Sequence, residues 1–215
     1  MNKDYYKILL VGKSGDGKTY SFRNMNPETT GFINAENKPL PFKNSFKYHK
    51  RCDTYLEVLD TIKEYAKNPE ITSIVIDSFS AYAELLRAEA RRTKKGFDVW
   101  NMYNEEIGRF NTYVKKCQKE VFITAHYEYV GIEGNLEKRV KVSAKEWEGN
   151  FERDYTVVLY TDKRFNEKGK PVYSYNLVEE NSSAKCPPDI FGEDIINIPN
   201  DCQDIFDAVN KFATV

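Results

Sequence analysis

The chain has 215 residues, 40% of them hydrophobic and 30% charged, a size that buries one good core and fits a single large α/β domain better than two full ones. Its 32 Lys and Arg against 33 Asp and Glu leave a formal net charge of -1, which excludes a whole-molecule basic field toward DNA or an anionic membrane and confines any nucleic-acid surface to a local patch. Cys52, Cys117, Cys186 and Cys202 lie far apart, form no C-x-x-C pair and accompany only two histidines, which argues against structural zinc or a disulfide framework and for reduced thiols.

No apolar run approaches the roughly 18 residues of a membrane span, and MNKDYY at residues 1 to 6 lacks the features of a signal peptide. A soluble, cytoplasmic protein is therefore expected. The elements are legible from the first residues onward. YKILLV (6 to 11) is a short apolar run without polar alternation, as a strand covered on both faces would be. It runs into GKSGDGKT, where Gly12, Gly17, Lys18 and Thr19 satisfy G-x-x-x-x-G-K-[ST]. The pattern has a physical reason. Glycines let successive backbone N–H groups turn toward the β- and γ-phosphates of a nucleotide, and the helix expected next points its positive end at the same anion. Lys18 reaches the outer phosphates as a point charge, and the Thr19 hydroxyl is a hard oxygen for Mg²⁺. Ser14, Gly15, Asp16 and Tyr20 complete the expected ATP-binding set. Asp16 stands out, because an acid among phosphate-binding amides should point away from the ligand.

GFINA (31 to 35), SIVID (73 to 77), EVFITA (120 to 125) and YTVVLYT (155 to 161) repeat the buried-strand signature. Five such runs separated by helices predict a mostly parallel sheet. Asp53 is the predicted N-cap of a helix over 54 to 67 whose face carries Leu56, Leu59, Ile62 and Ala66, ended by Asn68-Pro69. Further helices are predicted over 79 to 94 and 99 to 118, the latter with Trp100, Tyr103, Ile107, Phe110, Val114 and Cys117 on its core face. Residues 127 to 149 read as a hairpin around Gly134-Asn135, 165 to 177 as a second turning at Lys168-Gly169, and NDCQDIFDAVNKF as a closing helix with Ile205, Phe206, Val209 and Phe212 inward. The expected organisation is one domain over 1 to 215, with its core at about 5 to 165 and a hairpin and helix at about 166 to 215.

Two carboxylates complete a hydrolytic reading. Asp77 ends an apolar strand in SIVIDSFSAY, the Walker B pattern that holds the water shell of Mg²⁺, with Ser78 available to cap the next helix. Glu36 is the first acid after the second strand, at the sheet edge where ligands bind, and is the general-base candidate for the attacking water.

Taken together, GFINAENKPL, SIVIDSFSAY and VFITAHYE resemble the successive core strands of RecA-like recombination ATPases, ending in Ala-Glu, Asp-Ser and a polar sensor residue. The likeness is closer to the small phage AAA/RecA-like ATPases that include the Sak-type single-strand annealing proteins, whose sensor strand reads like ITAH and is followed by a glycine-containing hairpin and a strand resembling YTVVLYTDKR. It covers residues 6 to 165. The resemblance implies ATP and Mg²⁺ as cofactors, His126 as the γ-phosphate sensor, and a homo-oligomer in which Lys163 and Arg164 enter a neighbour's site. It also implies a role in phage DNA recombination, repair or replication inside a bacterial host, single-stranded DNA as ligand, and phage recombination or replication proteins as partners.

For DNA the candidate cations are the 87 to 95 segment, with Lys94 and Lys95, and the hairpin cations Lys138, Arg139, Lys141 and Lys145, beside Tyr127 and Tyr129 as stacking surfaces. The loop interior KSGD departs from recombinase wording and the chain has no room for the recombinase oligomerisation segment, so an accessory or annealing ATPase fits better than a strand-exchange filament. Two other classes share the motif: a nucleotide or nucleoside kinase, for which RRTKK is a poor lid, and a nucleotide-gated binding protein with little turnover.

Overall fold

The computed structural model describes residues 3–132, 135–142 and 151–214. In chain order it holds β1 (Lys7–Val11), a 3-10 helix (Thr19–Asn24), β2 (Thr30–Asn34), β3 (Tyr48–Arg51), α1 (Tyr55–Lys67), β4 (Ser73–Asp77), α2 (Phe79–Thr93), α3 (Asp98–Lys116) and β5 (Glu120–Ala125). There follow β6 (Tyr127–Ile132), β7 (Asn135–Val140), a 3-10 turn (Phe151–Asp154), β8 (Val157–Phe165), β9 (Pro171–Asn176), α4 (Pro188–Phe191), β10 (Asn197–Pro199) and α5 (Cys202–Ala213).

Eight strands form one sheet in the order β10-β9-β8-β1-β5-β4-β2-β3, and β6 pairs with β7 in a separate two-stranded sheet. From β8 to β3 every pairing is parallel, and β9 and β10 extend that sheet antiparallel at one edge. This is the mostly parallel α/β architecture expected from the sequence. The strands β1, β2, β4 and β5 are buried along their whole length, which is why they read as unbroken apolar runs.

Alternate residues serve two cores, as the two-residue period of a strand requires. Leu9, Val11, Ile33, Ile74, Ile76, Val121 and Ile123 pack with α1, α2 and α3, whereas Ile8, Leu10, Phe32, Val75 and Phe122 pack with Phe22 and with Ile205 and Val209 of α5. Burying each such side chain contributes roughly 1.5–3 kcal/mol.

The register fixes the site. Val11 stands opposite Ala125 and Asn34 opposite Asp77, so the carboxyl ends of β1, β2, β4 and β5 reach the same edge. Gly12, Ser78 and His126 follow directly, and Glu36 comes one residue later, after Ala35. β5 lies between β1 and β4, so the phosphate-loop strand and the Asp77 strand are next-nearest neighbours.

Several expectations are corrected. β3 was not among the five apolar runs because YHKR is a polar, partly exposed edge strand. The fifth run extends to Phe165, its second half leaving the parallel sheet for the β8–β9 hairpin. That hairpin turns through Asn166–Lys170 as predicted, with Gly169 at φ 69. The other hairpin pairs Tyr127 with Val140 through Ile132 with Asn135, and Gly134 of its expected turn lies outside the described residues. No α-helix follows the phosphate loop; a six-residue 3-10 helix does. Leu56 is 48% exposed, because α1 buries the stripe Tyr55, Val58, Leu59, Ile62 and Tyr65 instead. On α3, Trp100 is half-buried, and Cys117 caps the helix from outside it.

The cap of α1 is Thr54, not Asp53. The Thr54 hydroxyl accepts from the Glu57 N–H at 3.2 Å, and the Glu57 carboxylate accepts from the Thr54 N–H at 3.3 Å, a capping box that satisfies donors at the helix start. Thr54→Ala is therefore expected to destabilise the fold by about 1 kcal/mol in urea unfolding. Asp53→Ala should cost less, and equal losses for the two variants would contradict the assignment.

Candidate functional site

The loop between β1 and the first 3-10 helix is shaped by three glycines, each for a local reason. A Cβ on Gly12 would lie 2.0 Å from the Thr161 hydroxyl oxygen, so no larger residue fits under β8. Gly15 and Gly17 hold φ of 83 and 82, the left-handed region that glycine enters without steric cost. A side chain on Gly17 would also press on the Tyr173 ring, 3.1 Å away.

Asp16 has a structural partner set. Its Oδ2 accepts from the Lys13 N–H at 2.9 Å and from the Thr161 hydroxyl at 3.2 Å. The carboxylate thus braces the loop internally and against β8. That accounts for an acid inside a phosphate cradle.

Lys18 is buried, and its ammonium donates to the carbonyl oxygens of Gly12 and Lys13, both at 2.8 Å. Burial lowers its proton affinity, opposed by the nearby Asp77, Asp16 and Glu36 carboxylates. His126, the first residue past β5, places Nδ1 3.0 Å from the Gly12 carbonyl and 3.5 Å from the Lys18 ammonium. Burial, and then the Lys18 charge, hold the imidazole below its usual pKa, so it is neutral near pH 7. With Nδ1 protonated, the ring donates to Gly12. The His126 N–H donates to the Ser80 hydroxyl oxygen at 2.8 Å.

Asp77 is 3% exposed. Its Oδ2 accepts from the Thr19 hydroxyl at 2.9 Å, and its Oδ1 accepts a short hydrogen bond from Thr124. Burial pushes the carboxyl up, and the two hydroxyls act against that. Glu36 accepts from Lys38 on Oε2 at 3.0 Å and from the Ser78 hydroxyl on Oε1 at 3.2 Å. Burial pushes Glu36 up, but Lys38 and Ser78 outweigh it and leave the carboxyl below the usual range. Ser78 also caps α2, its Oγ accepting from the Ala81 N–H at 3.1 Å.

These residues surround a cavity of about 420 Å³ lined by Ser14, Gly15, Gly17, Lys18, Thr19, Tyr20, Glu36, Pro41, His126 and Tyr173. Pro41 and Tyr173 were not anticipated. Tyr173 comes from β9, a strand apart from the buried runs, and nothing local marks it. Thr124 was inside the quoted ITAH segment, where a polar residue in a buried strand is the signal that would have singled it out. Gly12 and Asp16, expected to bind ATP, hold the loop from behind and do not line the cavity.

The outlying candidates fall elsewhere. Arg164 is tied to Asp162 at 2.6 Å, and the Lys163 ammonium rests 5.5 Å from the centre of the Tyr173 ring, beside its own chain's cavity. Lys94 and Lys95 are exposed beyond α2. Lys138 pairs with Glu179 at 2.5 Å and Arg139 with Glu137 at 2.8 Å, so these two charges are already neutralised within the chain. Lys141 is exposed and Lys145 lies outside the described residues. Tyr127 and Tyr129 flank the Lys13 ammonium at 5.7 and 6.0 Å.

A glycine loop after a buried strand, a Lys-Thr pair at its end and a buried aspartate two strands away in a mostly parallel sheet define the class: a P-loop nucleotide-binding protein. The model of a family described as "AAA domain" matches residues 4–183. The chain belongs to that family of ATPase domains. Among solved structures it is similar to the KaiC-like protein PH0186 from the hyperthermophilic archaeon Pyrococcus horikoshii OT3, with a TM-score of 0.47 and 15% identity over 80% of this chain and 77% of that one. None of the curated proteins compared with the sequence matches it.

The brace on the loop can be separated from its charge. Asp16→Ala, which loses both hydrogen bonds, is expected to weaken ATP binding by up to about thirtyfold, since two bonds of about 1 kcal/mol each sum to about 2 kcal/mol. Asp16→Asn keeps an acceptor and should bind at least as tightly as the parent in a nucleotide titration. Equal weakening by both variants would show that the charge, not the brace, matters.

Proposed function

We propose that this chain binds ATP with Mg²⁺ and hydrolyses it. The observation that carries the reading is the placement of Glu36 and His126 on the wall of the cavity that also holds Lys18 and Thr19. The loop N–H groups and Lys18 bind the outer phosphates, Lys18 exchanging its two carbonyl acceptors for phosphate oxygens. Tyr20 and Tyr173 offer flat apolar surfaces on which a base can stack.

The donor set fits Mg²⁺: one hydroxyl and one carboxylate, both hard oxygens, already joined by the Thr19–Asp77 hydrogen bond. Thr19 would ligate the ion directly and Asp77 its water shell, while the ion offsets the phosphate charge. Glu36, ionised and at a strand end, takes the proton of the attacking water. Neutral His126 bridges β5 to the loop carbonyl of Gly12 and is placed to register an occupied γ-phosphate position.

Glu36→Gln is expected to lower kcat by about 10²–10⁴-fold while ATP binding persists. Lys18→Ala should lose binding itself. Turnover unchanged in Glu36→Gln would refute the base assignment.

The narrower reading is an ATPase of the phage single-strand annealing kind, acting in DNA recombination, repair or replication. It rests on the resemblance of the three strand ends, and it is supported by the hairpin β6–β7 that begins directly after His126 and carries exposed Tyr129. Among the described residues, Lys94, Lys95 and Lys141 are the candidate cations left for a DNA backbone in this reading, and the paired Lys138 and Arg139 are not. A homo-oligomer in which Lys163 and Arg164 reach a neighbour's nucleotide requires Arg164 to leave Asp162.

ATPase rate measured against single-stranded DNA and against protein concentration tests both parts. Stimulation by DNA that falls with added salt is expected, as is a rise in rate per molecule with concentration that Arg164→Ala removes. Rates flat in both titrations would overturn the DNA and the oligomer readings.

A further inference from the structure

Glu36 is placed as a base, and in the resting chain its carboxylate already has partners. Both of its carboxylate oxygens are engaged, one by the Lys38 ammonium at 3.0 Å and the other by the Ser78 hydroxyl at 3.2 Å. Its side chain is 22% exposed, whereas that of Lys38 is 74% exposed. The carboxylate is therefore the enclosed partner and the ammonium the one that faces solvent.

Glu36 also sits on the wall between two cavities. One is the nucleotide cavity; the other, of about 490 Å³, is lined by Lys38, Ser78, Ser80, Glu84, Leu85 and His126 among others. Lys38 thus approaches Glu36 from the side away from the phosphate loop. Glu84, on α2, borders the same space, and its charge acts on Lys38 together with those of Glu36 and Asp77.

We propose that Lys38 is a gate on Glu36, holding the carboxylate away from the attacking water at rest and moving to Glu84 across the second cavity when Glu36 must accept a proton. The proposal rests on the hydrolytic reading above. In the step it gates, the water oxygen forms a bond to the γ-phosphorus, its proton passes to Glu36, and the bond from that phosphorus to the bridging oxygen breaks with the electron pair leaving on ADP. Lys38 enters no bond in this step. It is a positioning residue, acting only through the availability of Glu36.

The gate predicts opposite signs for its two partners. An exposed ion pair biases a two-position equilibrium by about two- to fivefold. Lys38→Met is therefore expected to raise kcat by about that factor, with the ATP dissociation constant unchanged in a binding titration, and Lys38→Arg to restore the parent rate. Glu84→Gln, which removes the alternative partner, should lower kcat, and the double variant should behave like Lys38→Met alone. A fall or no change in kcat for Lys38→Met overturns the gate, and a Glu84→Gln rate equal to or above the parent overturns the exchange. If Glu36→Gln leaves turnover untouched, the hydrolytic reading itself fails. If Glu36→Gln abolishes turnover and Lys38→Met does not raise it, only the gate fails.

Discussion

One buried carboxylate organises this site. Asp77 ends β4 at 3% exposure, in a place where an ionised group without partners would cost several kcal/mol. Its partners are hydroxyls from two other elements: Thr19 from the start of the 3-10 helix after the phosphate loop, and Thr124 from β5. Because β5 separates β1 from β4, the Asp77 carboxylate spans what the backbone ladder cannot join directly. The loop, the sensor strand and the aspartate strand are held together at one point.

The same logic governs the loop. Lys18 and His126 both converge on the Gly12 carbonyl, and Asp16 ties the Lys13 amide to Thr161 of β8. Each of these bonds replaces one that water would make, so their net worth is near 1 kcal/mol apiece. Their importance is geometric. They keep the loop in the conformation that presents its amides to a phosphate, and an arriving phosphate can take over the Lys18 ammonium at little net cost in hydrogen bonds. The C-terminal segment supports this from below: the Tyr175 hydroxyl donates to Ser21 at 2.9 Å, and Arg23 donates to the Asn200 carbonyl at 2.8 Å. β9, β10 and α5 therefore brace the short helix that follows the loop.

Electrostatics divide the site into two regions. Around Lys18 and His126, low exposure keeps an imidazole neutral next to an ammonium. Around Glu36 the wall thins toward a second cavity, where an exposed lysine reaches the carboxylate from outside. The first region suits fixed recognition of a polyphosphate, and the second suits exchange between partners. Farther out, the hairpin β6–β7 is joined to the loop by Tyr127 and Tyr129 flanking Lys13, and its own cations are largely spent on intramolecular pairs.

What was legible in the sequence is what local chemistry dictates. The glycine pattern from Gly12 to Thr19 states its own backbone conformation, and strands buried on both faces announce themselves as apolar runs whose last residues are the polar ones. The positions of Asp77, Glu36 and His126 at or just past strand ends were read that way. The runs failed where a strand is polar, as in β3, and where adjacent polar residues compete for one cap, as with Asp53 and Thr54. The remainder depended on partners far apart in the chain. Asp16 finds Thr161 145 residues away, Lys138 finds Glu179 41 residues away, and Tyr173 reaches Gly17 only because β9 folds back along β8. The sequence by itself determined the glycine loop that marks a nucleotide-binding class and the polar residues that follow the apolar strands, because that information lies in a few neighbouring residues. Only the tertiary structure decided which charges are free, because pairing depends on distance in space and no local pattern records it.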